Sequence, residues 1–99
     1  MKSAELSSII EEEICCSKIW ASTNVNNAIG LAEHVASLSS STALLGLVPE
    51  IQNPKSHGVV FKAPLGVILG IAPWNAPAIL GLRAVAAAVM AGNCAILKV

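Results

Sequence analysis

Apolar positions in this chain change period along its length. Leu6, Ile9, Ile10 and Ile14 recur at helical spacing while Glu5, Glu11 and Glu12 take the opposite face, so the pattern predicts a surface helix capped by Ser3. A second helix is predicted to begin near Thr23 or Asn24 and to run to about Ser39, with Val25, Ile29, Ala32, Val35 and Ala36 as its buried stripe. The serine-rich residues 37–42 weaken that pattern. Residues 44–48 are short and apolar, and residues 49–58 carry the Pro, Asn and Gly punctuation of a connecting loop. Residues 59–62 read as a short strand ended by Pro64, which cannot donate in a ladder.

Beyond Pro64 the polar positions nearly vanish. Val67–Ile71 is an unbroken β-prone run with the look of a strand covered on both faces. Pro77 stands where a helix can begin, residues 78–90 carry strong helix formers, and Gly92 follows, which is the Pro-at-start, Gly-at-end asymmetry. Arg83 is the only charge on this helix, so most of its circumference is expected to be buried. Residues 95–99 form a second apolar strand, and strand, helix and strand together make one βαβ unit with a right-handed crossover. The fold class is therefore α/β, one βαβ unit preceded by two helices and a short strand, with the best internal boundary between residues 1–58 and 59–99.

Composition adds one strong constraint. The 99 residues are 55% hydrophobic and 12% charged, where about 25% charged is usual, so the chain carries more apolar surface than a free-standing domain of this length hides. It is expected to need company, from itself or from a relative. Six Lys plus Arg balance six Asp plus Glu, which removes the electrostatic argument for nucleic acid or an anionic membrane. Cys15, Cys16 and Cys94 are odd in number, and their spacing suits neither a metal pair nor a local disulfide. With no signal or transit pattern at the start, the expected setting is reducing and cytoplasmic. Residues 65–82 are long enough to cross a bilayer by hydropathy, but Pro73 and Pro77 each disrupt a helix interior by about 3 kcal/mol. A membrane span is the lesser reading.

Candidate chemistry sits where ligands bind in open parallel sheets, outside the carboxyl ends of the strands. Trp74 and Asn75 follow the first strand and Lys98 closes the second. Asn75 can donate its amide to a developing oxyanion, Lys98 can hold a ribose hydroxyl or phosphate, and the backbone from Ile71 through Ala72 and Pro73 to Trp74 can line a cofactor groove. Taken alone, each residue favours a plainer reading: Asn75 as a loop or N-cap residue, Lys98 as a solvated strand end, Trp74 as packing. No phosphate-loop glycine pattern is present. Cys94 has no His placed to activate it, Cys15 and Cys16 are read as inert, and His34 and His57 as surface residues.

The residues PLGVILGIAPWNAP followed by AGNCAILK resemble the aldehyde dehydrogenase superfamily, in which a Pro-Trp-Asn loop, a buried helix and a Gly-Asn-x-x-x-Leu-Lys strand recur in this order. The resemblance covers Pro64 to Lys98 firmly. Residues 23–39 and the loop through Gly46 and Pro49 are similar to the preceding family segment more loosely. Ala76, where Phe or Tyr is common, is similar to the branch acting on aromatic aldehydes such as salicylaldehyde or vanillin. In the family a cysteine thiolate attacks the aldehyde, an Asn side chain holds the oxyanion, hydride passes to NAD or NADP, and a Glu activates water. The resemblance implies an incomplete Rossmann-like NAD(P)-binding domain beginning at residue 59, with Asn75 as oxyanion stabiliser and Ile71, Ala72, Pro73, Trp74 and Lys98 on the cofactor.

The family pattern continues past the lysine with Pro-Ser-Glu or Ala-Ser-Glu, and its Cys and Glu lie further on. The chain is accordingly expected to be an amino-terminal portion of a dehydrogenase, inactive alone. Two alternatives stand beside that reading: a non-catalytic fragment docking on a full-length dehydrogenase, and a small membrane protein.

Overall fold

The computed structural model describes residues 2–99. Two helices, α1 (Ser3–Ile14) and α2 (Lys18–Leu38), precede a single 3-10 turn (Thr42–Leu44), and a βαβ unit follows as β1 (Val67–Ile71), α3 (Pro77–Met90) and β2 (Cys94–Lys98). The two strands pair in parallel with Val67 opposite Cys94 and Ile71 opposite Lys98. The second strand thus starts one residue before its predicted position, because the Cys94 N–H donates to the Gly66 carbonyl at 2.9 Å and opens the ladder there.

Helix ends show where local reading succeeds and fails. Ser3 is the first helical residue of α1 rather than its cap; Lys2 holds the cap position and no side chain closes it. Helix α2 begins at Lys18, five residues before Thr23, because the Ser17 side chain accepts from the Trp20 N–H at 3.2 Å. The apolar stripe concealed this first turn, since Ile19 and Trp20 are both exposed. The predicted stripe on α2 is also only half right: Val25 is buried and Ile29 and Val35 are half-buried, but Ala32 and Ala36 face outward. Helix α3 ends as predicted, with Gly92 at φ 86°. Asn93 N–H donates to Ala88 and Gly92 N–H to Val89, each at 3.0 Å, the paired bonds of a Schellman stop that needs the left-handed residue glycine supplies. The Asn93 side chain then ties this stop to the start of β1, donating to the Ala88 carbonyl and accepting from the Gly66 N–H, each at 2.9 Å.

The short strand predicted at residues 59–62 is reduced to one antiparallel bridge, Leu47 to Val60. Pro49 follows two residues after Leu47 and has no N–H to extend the pairing. Burial is sparse throughout. Ile10, Ala21 and Val25 form the core, with Ile14, Cys16, Ile29 and Ala78 packed around them, so α1, α2 and the first turn of α3 share one small centre. The radius of gyration is 18.8 Å, against about 13 Å for a compact chain of this size.

Sheet burial departs from expectation in one way that matters. Helix α3 covers the face carrying Gly70, where a Cβ would stand 3.0 Å from Ala84 Cβ and Val85 Cγ1 and 3.1 Å from the Ala84 carbonyl oxygen. The other face is uncovered, with Val67 and Ile71 each 67% exposed and Leu69 62%. β1 is therefore covered on one side, not two, because no other element among the described residues lies over it. The helix itself is less buried than its composition predicts: Ile79 and Gly81 are its buried residues, and Val89 is exposed as well as Arg83.

Replacing Gly70 by valine is expected to destabilise the chain by about 1–3 kcal/mol through overpacking, since the Ala84 carbonyl is main chain and cannot yield. A urea midpoint unchanged by Gly70→Val would show that helix and strand are not in this close contact. Among the described residues no helix is long and apolar enough to cross a membrane; residues 65–82 divide into strand, loop and helix.

Candidate functional site at the carboxyl edge of the strand pair

The parallel pair runs one bond beyond its last paired residues. Ala72 N–H donates to the Lys98 carbonyl at 2.9 Å, so the chain leaves the sheet beside the end of the second strand. Five residues then turn from strand to helix: Ala72 and Ala76 are buried and pin the two ends, while Pro73, Trp74 and Asn75 between them are exposed. Trp74 is 74% exposed and therefore is not spent on packing. Ile71 also presents its side chain outward at this edge.

Asn75 does not cap α3. The cap position belongs to Ala76, at φ −150° and ψ 68°, which has no side chain able to accept. The capping interpretation of Asn75 is thereby overturned, because the helix starts one residue too late for it. What holds Asn75 is its main chain, whose carbonyl accepts from Trp20 Nε1 at 3.1 Å. Its carboxamide has no hydrogen-bond partner among the described residues and stands as a neutral donor at the sheet edge. Lys98 ends the neighbouring strand in register with Ile71, exposed and with no ion pair among the described residues. Asn75, Ile71, Ala72, Pro73, Trp74 and Lys98 thus lie together at one edge.

The cysteines lie elsewhere. Cys94 opens β2 opposite Val67, at the far end of a five-residue strand from Lys98, about 13 Å away at ~3.3 Å per residue. Cys15 and Cys16 sit at the junction of α1 and α2, and all three thiols are free. Among the described residues no cluster of His, Cys, Asp or Glu could hold a metal ion.

Two residues at this site escaped the reading of the sequence. Trp20 lies before the predicted start of α2, and the apolar pattern places Asn24 at that start. In the structure Asn24 is 3% exposed, and its Oδ1 accepts from the Ile79 N–H at 2.9 Å. The signal that was available is Ser17 three residues before Trp20, a capping spacing that moves the helix start and sets Trp20 and Asn24 one turn apart on a single face.

The sequence profile of the aldehyde dehydrogenase family matches residues 1–99. Over 79 residues the chain is 43% identical to a vanillin dehydrogenase of Pseudomonas sp. strain HR199, covering 80% of the chain and 16% of that protein. It is 35% identical over 80 residues to a benzaldehyde dehydrogenase [NAD(+)] of Pseudomonas putida, covering 81% of the chain and 15% of that protein. The crystal structure of a salicylaldehyde dehydrogenase from Pseudomonas putida G7 complexed with salicylaldehyde superposes with a TM-score of 0.88 at 29% identity, over 98% of this chain and 20% of that one. The chain spans about a fifth or less of the length of these relatives.

Proposed function

Because this chain belongs to the aldehyde dehydrogenase family, we propose that it contributes the oxyanion-binding amide and one wall of the cofactor groove to an NAD(P)-dependent oxidation of an aromatic aldehyde to its acid. The observation that carries this reading is the uncommitted Asn75 carboxamide in the loop that leaves the sheet next to Lys98, at the carboxyl edge of a parallel strand pair. An oxyanion needs a fixed donor whose hydrogen bond is not already spent. Asn75 meets that requirement because helix capping does not consume it. The small Ala76 next to it and the vanillin, benzaldehyde and salicylaldehyde enzymes among the relatives support an aromatic aldehyde over a small aliphatic one.

The cofactor is tested by the donors present. Lys98 offers an ammonium with no ion-pair partner among the described residues, and the exposed Ile71, Pro73 and Trp74 flank the buried Ala72 alongside it, which fits the ribose end of a dinucleotide. NAD(P)+, when bound, supplies the hydride acceptor. Lys98 would donate to a ribose hydroxyl, the stretch from Ile71 to Trp74 would flank the cofactor, and Asn75 would donate to the aldehyde oxygen as charge gathers on it. The boundary at residue 59 belongs to the same proposal, with residues 59–99 opening the NAD(P)-binding domain and residues 1–58 leading into it. So does a cytoplasmic setting.

The test is a hybrid in which these 99 residues replace the matching fifth of the Pseudomonas putida salicylaldehyde dehydrogenase. It should form NAD(P)H in the presence of salicylaldehyde or vanillin, and a well-folded hybrid that forms none would sink the reading. Within it, Lys98→Ala should raise the KM for the cofactor about tenfold by removing one charge-assisted hydrogen bond, with kcat little changed. An unaltered cofactor KM would place the lysine off the cofactor.

A further inference from the structure

We infer that Asn24 and Trp20, on one face of α2, form a clamp that positions the oxyanion amide, Asn24 by capping α3 from outside it and Trp20 by holding the Asn75 main chain. The inference deepens the reading of Asn75 given above and rests on it. The start of α3 carries a deficit of hydrogen-bond acceptors. Pro77 has no N–H, the Leu80 N–H reaches the Ala76 carbonyl at 3.0 Å, and the Ala78 and Ile79 N–H groups in between have no partner within the helix. Ile79 is buried, so water cannot serve its N–H, and the cap residue Ala76 has nothing to offer.

Asn24 fills that role across 55 residues of sequence. Its Oδ1 accepts from the Ile79 N–H, the third helical position, which is the donor an ordinary N-cap side chain would satisfy. Trp20 lies one turn earlier, and its Nε1 donates to the Asn75 carbonyl at 3.1 Å, also across 55 residues. The two bonds bracket Asn75–Ile79 on either side of Ala76. Ala21 and Val25, next to them on the helix, are 0% and 3% exposed, so the face that carries the clamp is seated in the core and does not drift.

Burying Asn24 is costly, which argues that its bond is needed. Its Nδ2 is buried with no partner among the described residues, whereas an apolar side chain would leave no such orphan. The other anchor of the loop, the Ala72 to Lys98 bond, holds only its strand side. Without the clamp the helix side is held only by the burial of Ala76 and its bond from the Leu80 N–H, and a donor displaced from the oxyanion loses transition-state stabilisation while cofactor contacts at Lys98 stay as they were.

The test uses the hybrid enzyme. Trp20→Phe keeps an aromatic ring at a half-exposed position and removes only the donor; Asn24→Leu removes the acceptor. Each should lower kcat about fivefold to tenfold with the cofactor KM unchanged, and Asn24→Leu should speed amide hydrogen exchange in the peptide containing Ile79. In an Asn75→Ala background neither should lower kcat further, because the clamp acts through Asn75. Additive losses in that background, or full kcat in both single variants, overturn the clamp. Asn75→Ala alone reports on the oxyanion reading, so the two ideas fail separately; should Asn24→Leu unfold the hybrid, Trp20→Phe decides.

Discussion

Asn75→Ala in the hybrid enzyme should reduce kcat by about 10²–10³-fold, the usual consequence of removing one oxyanion donor. The size of the effect follows from how little else the side chain does. Asn75 is exposed, does not cap α3, and is held through its main-chain carbonyl by Trp20, so shortening it to alanine leaves both helix and loop contacts in place. Stability should stay within about 0.5 kcal/mol of the parent, as for exposed substitutions that touch no packed feature. An equal fall in kcat and kcat/KM with unchanged folding is the signature of an interaction made only in the transition state. Asn75→Asp should be at least as damaging, since a carboxylate presents negative charge to a developing anion. Steady-state kinetics with a circular dichroism spectrum on each variant check this, and an alanine variant within threefold of the parent kcat removes Asn75 from the chemistry.

The 99-residue polypeptide by itself should give no aldehyde-dependent NADH above a protein-free control. An amide donor stabilises an alkoxide only after a nucleophile has created it. Of the thiols present, Cys94 lies at the opposite end of β2 from Lys98, and those of Cys15 and Cys16 donate to the Glu12 and Ile10 main-chain carbonyls of α1, so none is directed at an aldehyde held at Asn75. The described residues at the carboxyl edge include no carboxylate or imidazole to activate water. The hybrid supplies both groups, so the contrast between the two proteins measures what the remaining segments add. Turnover by the isolated chain at ordinary enzyme rates, a few per second or more, would mean that one of these thiols works in a geometry unlike the one described.

Several elements of this structure could be read from neighbouring residues. Val67–Ile71 is a strand because four β-prone apolar residues, interrupted only by Gly70, run between Gly66 and the Ala72-Pro73 pair. Helix α3 has the limits that Pro77 and Gly92 set, because a missing N–H suits the first turn and a positive φ suits the stop. The paired loop and strand motifs point by themselves to the aldehyde dehydrogenase family, and the family profile and the superposition agree with them. The start of α2 leaves no trace in the apolar stripe because Ile19 and Trp20 are exposed there and a side-chain cap, Ser17, sets it instead.

By itself, then, the sequence determined the order of the elements, the parallel βαβ unit, the family, and the position of a lone carboxamide in a strand-to-helix loop. Only tertiary structure decided that Asn75 is not the cap of α3, that one face of the strand pair is bare, and that Trp20 and Asn24 hold the loop from outside. The division has a physical cause. Periodicity, capping and turn preferences act over a few residues and leave a local trace, whereas a hydrogen bond across 55 residues exists only after α2 has packed on α3 and excluded water from the N–H it satisfies.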